Sequence, residues 1–157
     1  MKIELLVIGK TDSKIIKDGF EIYNKRLTHY IPFSMNVIPD IKNVKNMSED
    51  QQKTKEGEEI LKRCENSDIL VILDENGKQF SSKEFSNFIV QKSITGIKKL
   101  IFVIGGPYGF SQDVYARANS KISLSKMTFS HQMVRMIFAE QLYRAMTIIK
   151  GEPYHHE

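Results

Sequence analysis

The chain has 157 residues, of which 41% are hydrophobic and 27% are charged, a composition typical of one soluble globular domain with a sizeable core. The single cysteine, Cys64, excludes an internal disulfide framework, argues against cysteine catalysis and fits a reducing cytoplasm. The opening run MKIELLVIGK fails as a signal peptide, and no apolar run is long enough to cross a membrane, so we expect a cytoplasmic protein.

The formal net charge of +4 is unevenly distributed along the chain. Residues 96–151 contain eight lysine or arginine side chains and two carboxylates, so this third carries +6 and the remainder −2. Because basic side chains bind phosphates, this third predicts a surface for a polyanion such as RNA. A solvated basic face explains the same charge equally well.

Continuously apolar, β-branched runs predict strands that are buried on both faces of a parallel sheet. These strands are residues 3–8, 69–73 and 100–104, with a further candidate at 33–39. Amphipathic spacing and capping boxes predict the helices between them. These helices are residues 13–29, 49–64 and 82–93. Strands that alternate with helices predict an α/β fold, here a single domain over residues 1–157.

The segment 131–149 is apolar around nearly its whole circumference. A helix of this kind must be buried on every side. One small sheet covers only one side, so we expect the rest of this helix to pack on another subunit. A wholly internal position is the alternative.

The stretch IGGPYGFSQD, residues 104–113, follows a predicted strand and precedes a short helix that Ser111 would cap. Its glycines let backbone approach a ligand, and this edge of a parallel sheet is the usual place for a nucleotide. The spacing matches neither GxGxxG nor a P-loop, so a tight structural turn is an equally good interpretation.

Asp74 and Glu75 follow the strand 69–73 in the run LDENGK. Acids at a strand end accept hydrogen bonds from ribose hydroxyls, but they also flank turns such as Asn76-Gly77. We favour the turn for these side chains, with the backbone of Leu73 placed to line a pocket.

The run SLSKMTFS, residues 123–130, joins a plausible strand to the long helix without glycine or proline. If it reaches the same sheet edge as 73–76 and 105–109, three backbones converge on one crevice. Such a crevice suits a flat heteroaromatic ring, with Leu124, Met127 or Phe129 against its faces. A polar turn that ends in Ser130 as an N-cap is the alternative.

The tail GEPYHHE contains Tyr154, His155 and His156. Chain ends commonly fray, so the pattern alone favours disorder over catalysis here. Adjacent histidines also suggest a metal site, but no cysteine or histidine stands at ligand spacing, and no metal is expected.

Three stretches resemble the ribosomal RNA large-subunit methyltransferase H family of the SPOUT superfamily. They are FVIGGPYGF (102–110), SLSKMTFSHQMVRMIFAEQLYRA (123–145) and GEPYH (151–155). The resemblance implies a trefoil-knotted α/β methyltransferase with a mostly parallel sheet flanked by helices. It also implies a homodimer that binds S-adenosylmethionine in the knot. Pattern reasoning alone would not propose a knot, because knots are very rare.

The activity that the resemblance implies is methylation of N3 of a pseudouridine in helix 69 of 23S ribosomal RNA, in the assembled ribosome, with no DNA or membrane partner. The implied cofactor residues are Leu73, Gly105, Leu124, Ser125, Lys126, Met127, Thr128 and Phe129. The candidate catalytic residues are His155 as base or orienting group, Tyr154 as a stacking or hydrogen-bonding platform, and Arg144 to stabilise an anion or hold phosphate.

Two positions depart from the family pattern: Ser130 stands where many relatives have proline, and His156 where arginine or lysine often follows the PYH motif. Serine caps a helix well, so the first departure should matter little. The alternatives are a non-catalytic ribosome-binding factor and a knotted enzyme for a different RNA. A nicotinamide-dependent oxidoreductase is a further rival, but it would need the glycine fingerprint that this chain lacks.

Overall fold

The computed structural model describes residues 1–156. Its strands are β1 (Lys2–Ile8), β2 (Phe33–Ile38), β3 (Ile69–Gln79), β4 (Lys99–Ile104) and β5 (Ser120–Ser123). Its helices are α1 (Lys14–Leu27), α2 (Glu49–Leu61), α3 (Ser82–Ile94), α4 (Gln112–Arg117) and α5 (Met133–Lys150), with a short 3-10 turn at Val44–Asn46. The predicted strands and helices are therefore confirmed, with differences of a few residues at their ends.

The five strands form one parallel sheet in the order β2-β1-β4-β3-β5. Parallel strands all end at the same edge of a sheet, so the segments that follow β3, β4 and β5 begin side by side. This carboxyl edge is where α/β proteins usually bind their ligands.

Helices cover both faces of the sheet. One face packs against α1, α3 and α5 through side chains such as Leu5 and Phe102, and the other packs against α2 and α4 through Leu6 and Val103. These four strand side chains are fully buried. Successive strand residues point to opposite faces, and both faces are covered, which explains the continuous apolar runs.

The predicted helix starts are confirmed in detail. Ser48 Oγ accepts the Gln51 amide at 3.1 Å while the Gln51 side chain accepts the Ser48 amide at 2.9 Å. Ser81 and Glu84 form the same reciprocal pair, with distances of 3.2 and 2.7 Å. The α4 helix is capped by Ser111, whose hydroxyl accepts the Val114 amide at 3.4 Å.

The apolar helix α5 lies on the sheet and is flanked by α1 and α3, and several of its side chains, including Phe138, Ala139 and Leu142, are fully buried. It is not wholly internal, because Met133 is 41% exposed and Ile149 is 37% exposed. The α-helix begins two residues later than predicted. Ser130 Oγ accepts the Met133 amide at 3.1 Å across the turn that precedes the helix.

The predicted turn at Asn76-Gly77 is wrong. β3 continues to Gln79 and pairs with β5 again at Lys78, after a register shift that begins beyond Leu73. A Cβ atom at Gly77 would stand 2.6 Å from the carbonyl carbon of Ile122. Pairing with β5 therefore overrides the local turn preference, and glycine is needed there for close approach rather than for a turn.

Candidate functional site

A cavity of about 660 Å³ opens at the carboxyl edge of the sheet. It is lined mainly by three segments, which are residues 73–76, 104–110 and 123–131. Residues 73–76 lie within β3, at its register shift, and the segments that follow β4 and β5 flank them on either side. The structure thus brings together the three segments that the sequence predicts to converge. We call this space the edge cavity.

The edge cavity is lined by seven of the eight residues that the resemblance implies for the cofactor. They are Leu73, Gly105, Leu124, Ser125, Met127, Thr128 and Phe129. Lys126 is exposed and does not line the cavity, although both of its neighbours do.

The loop after β4 turns tightly at residues 106–109. The Gly109 amide donates to the Gly106 carbonyl at 3.2 Å, which closes a β-turn with Pro107 at its second position. Gly109 has a φ of +84°, a conformation that only glycine adopts at little cost. Proline and glycine together fix the shape of this wall.

The same loop is packed tightly from behind. A Cβ atom at Gly105 would lie 3.1 Å from the Phe110 ring, and one at Gly106 would lie 2.3 Å from Glu56 Oε2. Both glycines therefore leave room for atoms on the protein side of the loop. The backbone is held against Phe110 and Glu56 and faces the cavity with its other side.

Glu56 is a buried carboxylate, with 3% of its surface exposed. The Gln52 side chain donates to its Oε1 at 3.0 Å. Burial raises the pKa of Glu56, and the nearby charge of Asp40 adds to that increase, while the bond from Gln52 opposes it. Sequence spacing gave no sign that this residue lies beneath the glycine loop.

Two acids on β3 tie the walls of the cavity together. Tyr115 OH donates to Asp74 Oδ2, and burial together with this bond raises the pKa of Tyr115 to about 12. Thr128 Oγ1 donates to Glu75 Oε2 at 3.1 Å. These contacts join residues 41 and 53 positions apart, so no local motif predicts them.

Hydroxyl groups hold the loop 123–130 in shape. Ser123 Oγ donates to the Ser125 carbonyl at 2.8 Å, and Ser125 Oγ accepts the Met127 amide at 2.9 Å. Serine hydroxyls that bond nearby backbone take over the role that glycine and proline have in ordinary turns. This explains how a loop with neither residue keeps a defined course.

Arg135, on the first turn of α5, is fully buried and fastens that turn to the end of β1. Its Nη2 donates to the Ile8 carbonyl at 2.7 Å, and its Nη1 donates to the Gly9 carbonyl and Thr11 Oγ1, each at 2.9 Å. Its Nε donates to the His131 carbonyl at 3.0 Å. Burial lowers the pKa of this guanidinium, although its neighbours are mostly acceptors.

The basic third does not form one surface. Arg135 is buried. Lys99 pairs with Asp68 at 2.9 Å, and Arg117 donates to the Asp68 carbonyl, both at the edge where β3 and β4 begin. Lys126 lies at the opposite edge. Net charge along the chain was therefore a poor guide to the surface, because it counts buried and paired cations together with exposed ones.

The tail packs back onto α5 as far as His155. Gly151, at a φ of +69°, ends the helix, and the Glu152 amide returns to the Thr147 carbonyl at 2.9 Å. Tyr30 OH donates to the Glu152 carboxylate. The expectation from chain position, that this tail is disordered, is therefore wrong for residues 151–155.

Arg144, Tyr154 and His155 come together with Glu140, and we call these four residues the tail cluster. Arg144 Nη2 donates to Glu140 Oε1 at 2.5 Å, and the guanidinium lies 4.8 Å from the centre of the Tyr154 ring. Tyr154 OH donates to Glu140 Oε1 at 3.1 Å. Burial and hydrogen bonding raise the pKa of Tyr154, so this side chain stays protonated.

His155 faces Arg144, with Nδ1 of the imidazole 3.4 Å from Arg144 Nη1. A guanidinium only donates, so this contact is a hydrogen bond in the tautomer that turns the Nδ1 lone pair toward Arg144. The distance is long for a hydrogen bond, and the contact is correspondingly weak.

The tail cluster and the edge cavity lie apart in one chain. Val134 lines the cavity, and no residue of the tail cluster does so among the described residues. Val134 and Arg144 are ten residues apart on α5, which corresponds to about 15 Å along the helix axis. Each of the two groups that the sequence predicts is assembled, but they do not form one site within a single subunit.

The described residues contain no helix long and apolar enough to span a bilayer. Fold and cavity define a parallel α/β protein with a ligand-sized cavity at the carboxyl edge of its sheet. Comparison with known proteins is more specific. The sequence model described as "Predicted SPOUT methyltransferase" matches residues 1–155, and the chain belongs to this family.

Curated relatives resemble the chain over its whole length. Proteins named "Ribosomal RNA large subunit methyltransferase H" from Christiangramia forsetii and Parabacteroides distasonis are each 64% identical to it, and alignments cover at least 99% of both chains. A protein of the same name from Flavobacterium johnsoniae is 58% identical over all 157 residues. The resemblance predicted from the motifs is thereby confirmed.

Proposed function

We propose that this methyltransferase uses S-adenosylmethionine to methylate N3 of a pseudouridine in helix 69 of 23S ribosomal RNA. The observation that carries the proposal is that three segments of a SPOUT-family chain, one within β3 and two in the loops after β4 and β5, meet around one cavity at the carboxyl edge. Relatives at 64% identity are named as methyltransferases of large-subunit ribosomal RNA.

The edge cavity suits this cofactor. Its volume falls within the range of small-molecule sites, about 300–1,000 Å³. The walls combine exposed backbone at Gly105 with the apolar side chains of Leu73 and Leu124, as a flat base with a polar edge requires. Asp74 and Glu75 supply negative charge beside a cationic donor. When bound, the cofactor supplies an electrophilic methyl group on a sulfonium.

The chain contributes positioning and proton handling. Methyl transfer is an in-line displacement, so a rigid wall that holds donor and acceptor in line supplies much of the acceleration. The turn at Gly106–Gly109 and the Thr128–Glu75 bond make the walls of the cavity rigid. The proton on the acceptor N3 must also leave.

In this proposal the tail cluster handles that proton. His155 accepts the proton on Nδ1. In the folded chain this nitrogen makes only a long, weak contact with Arg144. Arg144 then turns its donors to the negative charge that develops on the base. Tyr154, which stays protonated and is fixed by Glu140, acts as a platform rather than as a base.

The distance between cavity and tail cluster supports a homodimer. If α5 packs antiparallel on its copy about a two-fold axis near residue 139, the start of one helix lies beside the end of the other. The tail cluster of each subunit then faces the edge cavity of its partner. Half-buried Ile137 and the exposed apolar Met133 lie on the side of α5 that such packing would cover.

Family membership also implies the trefoil knot. We propose that the loop 123–130 belongs to it, which agrees with a loop shaped by its own hydroxyls and by Thr128–Glu75. The substrate places the enzyme in the cytoplasm, on assembled ribosomes.

The decisive experiment is transfer of a labelled methyl group to ribosomes from a strain without the gene, followed by mapping of the modified nucleotide. Methylation at N3 of the helix 69 pseudouridine supports the proposal. Methylation elsewhere identifies an enzyme for a different RNA. Calorimetric titration with S-adenosylmethionine separates both from a ribosome-binding factor, which would show no cofactor binding.

A further inference from the structure

Exposed apolar side chains are concentrated at the mouth of the edge cavity. Tyr108 is 44% exposed, Met127 78% and Phe129 37%, and all three line the cavity. The cavity floor is different, since Ile104 is 5% exposed and Leu73 is half-buried. Single exposed apolar side chains are ordinary, but three around one opening mark a binding surface.

These side chains come from opposite walls. Tyr108 belongs to the loop after β4, whereas Met127 and Phe129 belong to the loop after β5, and β3 lies between those strands. Strands two positions apart in a sheet are separated by about 10 Å. A flat ring in van der Waals contact with both sides needs about 7–8 Å, so a gap of this order admits one base.

The backbone presents Tyr108 rigidly. This residue follows Pro107 in the closed turn at Gly106–Gly109, and Glu56 packs against the turn from behind. An exposed aromatic ring on a fixed backbone loses little conformational entropy when a partner stacks on it. Nucleobases that leave a helix are commonly bound by stacking on such rings.

We propose that Tyr108 stacks on the acceptor base, a uracil-type ring extruded from the RNA, while the exposed side chains of Met127 and Phe129 contact its other face and the backbone of their loop serves the cofactor, as the family resemblance implies. This inference rests on the proposed function and assigns the outer part of the cavity to RNA. The floor, formed by Leu73, Gly105 and Leu124, then remains for the methyl donor.

The test compares Tyr108→Ala and Tyr108→Phe with a matched control, Ile94→Ala, which removes an exposed apolar side chain from the far end of α3. We expect Tyr108→Ala to reduce kcat/KM for unmodified ribosomes at least about fivefold through a higher KM. Its dissociation constant for S-adenosylmethionine should stay within about twofold of wild type, because the ring contacts RNA rather than donor. Tyr108→Phe should restore most of the loss.

The inference is overturned if Tyr108→Ala weakens cofactor binding as much as methyl transfer, or if it changes neither. Failure of the wild-type protein to bind cofactor or to methylate ribosomes overturns the proposed function itself, which is a separate result.

Fluorescence gives a second readout. The chain has no tryptophan, so Tyr108→Trp creates a unique probe at the mouth. With S-adenosylhomocysteine present, an RNA hairpin with a pseudouridine in its loop should quench this emission by stacking. Quenching by S-adenosylhomocysteine alone contradicts the assignment.

Discussion

Charged side chains serve opposite purposes at the two ends of α5. At the cavity end, Arg135 is fully buried and bonds backbone carbonyls, and Glu56, which is 3% exposed, packs beneath the glycine loop. At the tail end, Arg144 keeps 26% of its side chain exposed, and its neighbour His155 is half-buried. Arg135 and Glu56 thus support the walls of the edge cavity, while Arg144 and His155 remain partly accessible from the surface.

The difference shows how burial assigns a role to an ionisable group. If a buried arginine that donates to carbonyls leaves them, those buried acceptors lose their hydrogen bonds, so the arginine stays in place and has a structural role. An arginine at the surface, bound to one carboxylate and one imidazole, can change partners at modest cost. Sequence alone does not distinguish Arg135 from Arg144, since both lie on the same helix nine residues apart.

The largest effect is expected at Arg135. Arg135→Met leaves the buried Ile8 and Gly9 carbonyls and the buried Thr11 hydroxyl without their donor, at about 1–3 kcal/mol for each unsatisfied group. The free energy of unfolding, measured with urea, should fall by about 3 kcal/mol or more. Lys126→Met, which removes an exposed cation near the same cavity, is the control and should change it by less than about 0.5 kcal/mol. Equal stability of the two variants would contradict a fastening role.

The next prediction concerns the proposed dimer, in which the cavity end of one α5 lies beside the tail end of the other. Ile137→Glu places a charge on the face of α5 that the proposed dimer covers, so we expect monomers or insoluble protein, without methyl transfer. Sedimentation velocity measures the assembly state. A soluble, active dimer of this variant would exclude the proposed packing.

Mixed dimers test the composite site directly. Gly105→Val crowds Phe110 and the cavity, while His155→Ala damages the tail cluster. After exchange of subunits, we expect the mixture to recover about a quarter of wild-type activity, because each mixed dimer has one intact site. No recovery would mean that cavity and tail act within one subunit.

A smaller effect separates binding from chemistry. His155→Ala should reduce kcat by about 100-fold, as expected for loss of a general base. The affinity for S-adenosylmethionine should change little, because His155 does not line the edge cavity. His156→Ala alters the exposed neighbouring residue and is the matched control. Equal loss of cofactor affinity and turnover would reject the base assignment.

The smallest effect concerns Glu56. Burial raises its pKa in the folded protein, so the unfolded chain releases this proton first as pH rises. The free energy of unfolding of the wild type therefore decreases as pH rises from the pKa of the unfolded chain, about 4.3, to the raised pKa of the folded protein. Above that pKa, Glu56 causes no further change. Glu56→Gln does not titrate, so its stability relative to wild type should increase with pH across that window. Urea unfolding at a series of pH values measures this, with exposed Glu58→Gln as control; parallel curves for wild type and Glu56→Gln would refute it.

Much of the fold could be predicted because its signals are local. The apolar runs of β1, β3 and β4 and the serine caps of α2 and α3 depend on neighbouring residues only. The continuation of β3 past Asn76 could not be predicted, since it depends on pairing with β5, more than forty residues later. Local turn preference was overruled there by strand pairing.

The candidate site also combines features that the sequence predicts with features that depend on distant residues. The family motifs located the three cavity segments, and shared strand direction explains why they meet. The contacts that fix those segments, such as Tyr115 with Asp74 and Arg135 with the end of β1, join distant positions and depend on the folded arrangement. No periodicity or spacing encodes them. Family resemblance also did not show that the tail cluster is remote from the cavity within one chain.

The fastening of α5 to the end of β1 has a consequence for biosynthesis. The first strand leaves the ribosome early, but the arginine that secures its carbonyls and the loop that closes the cavity belong to the last quarter of the chain. A nascent polypeptide therefore cannot assemble the cavity until residues 123–135 have been synthesised. A product truncated before them would lack the wall of the edge cavity that this loop forms.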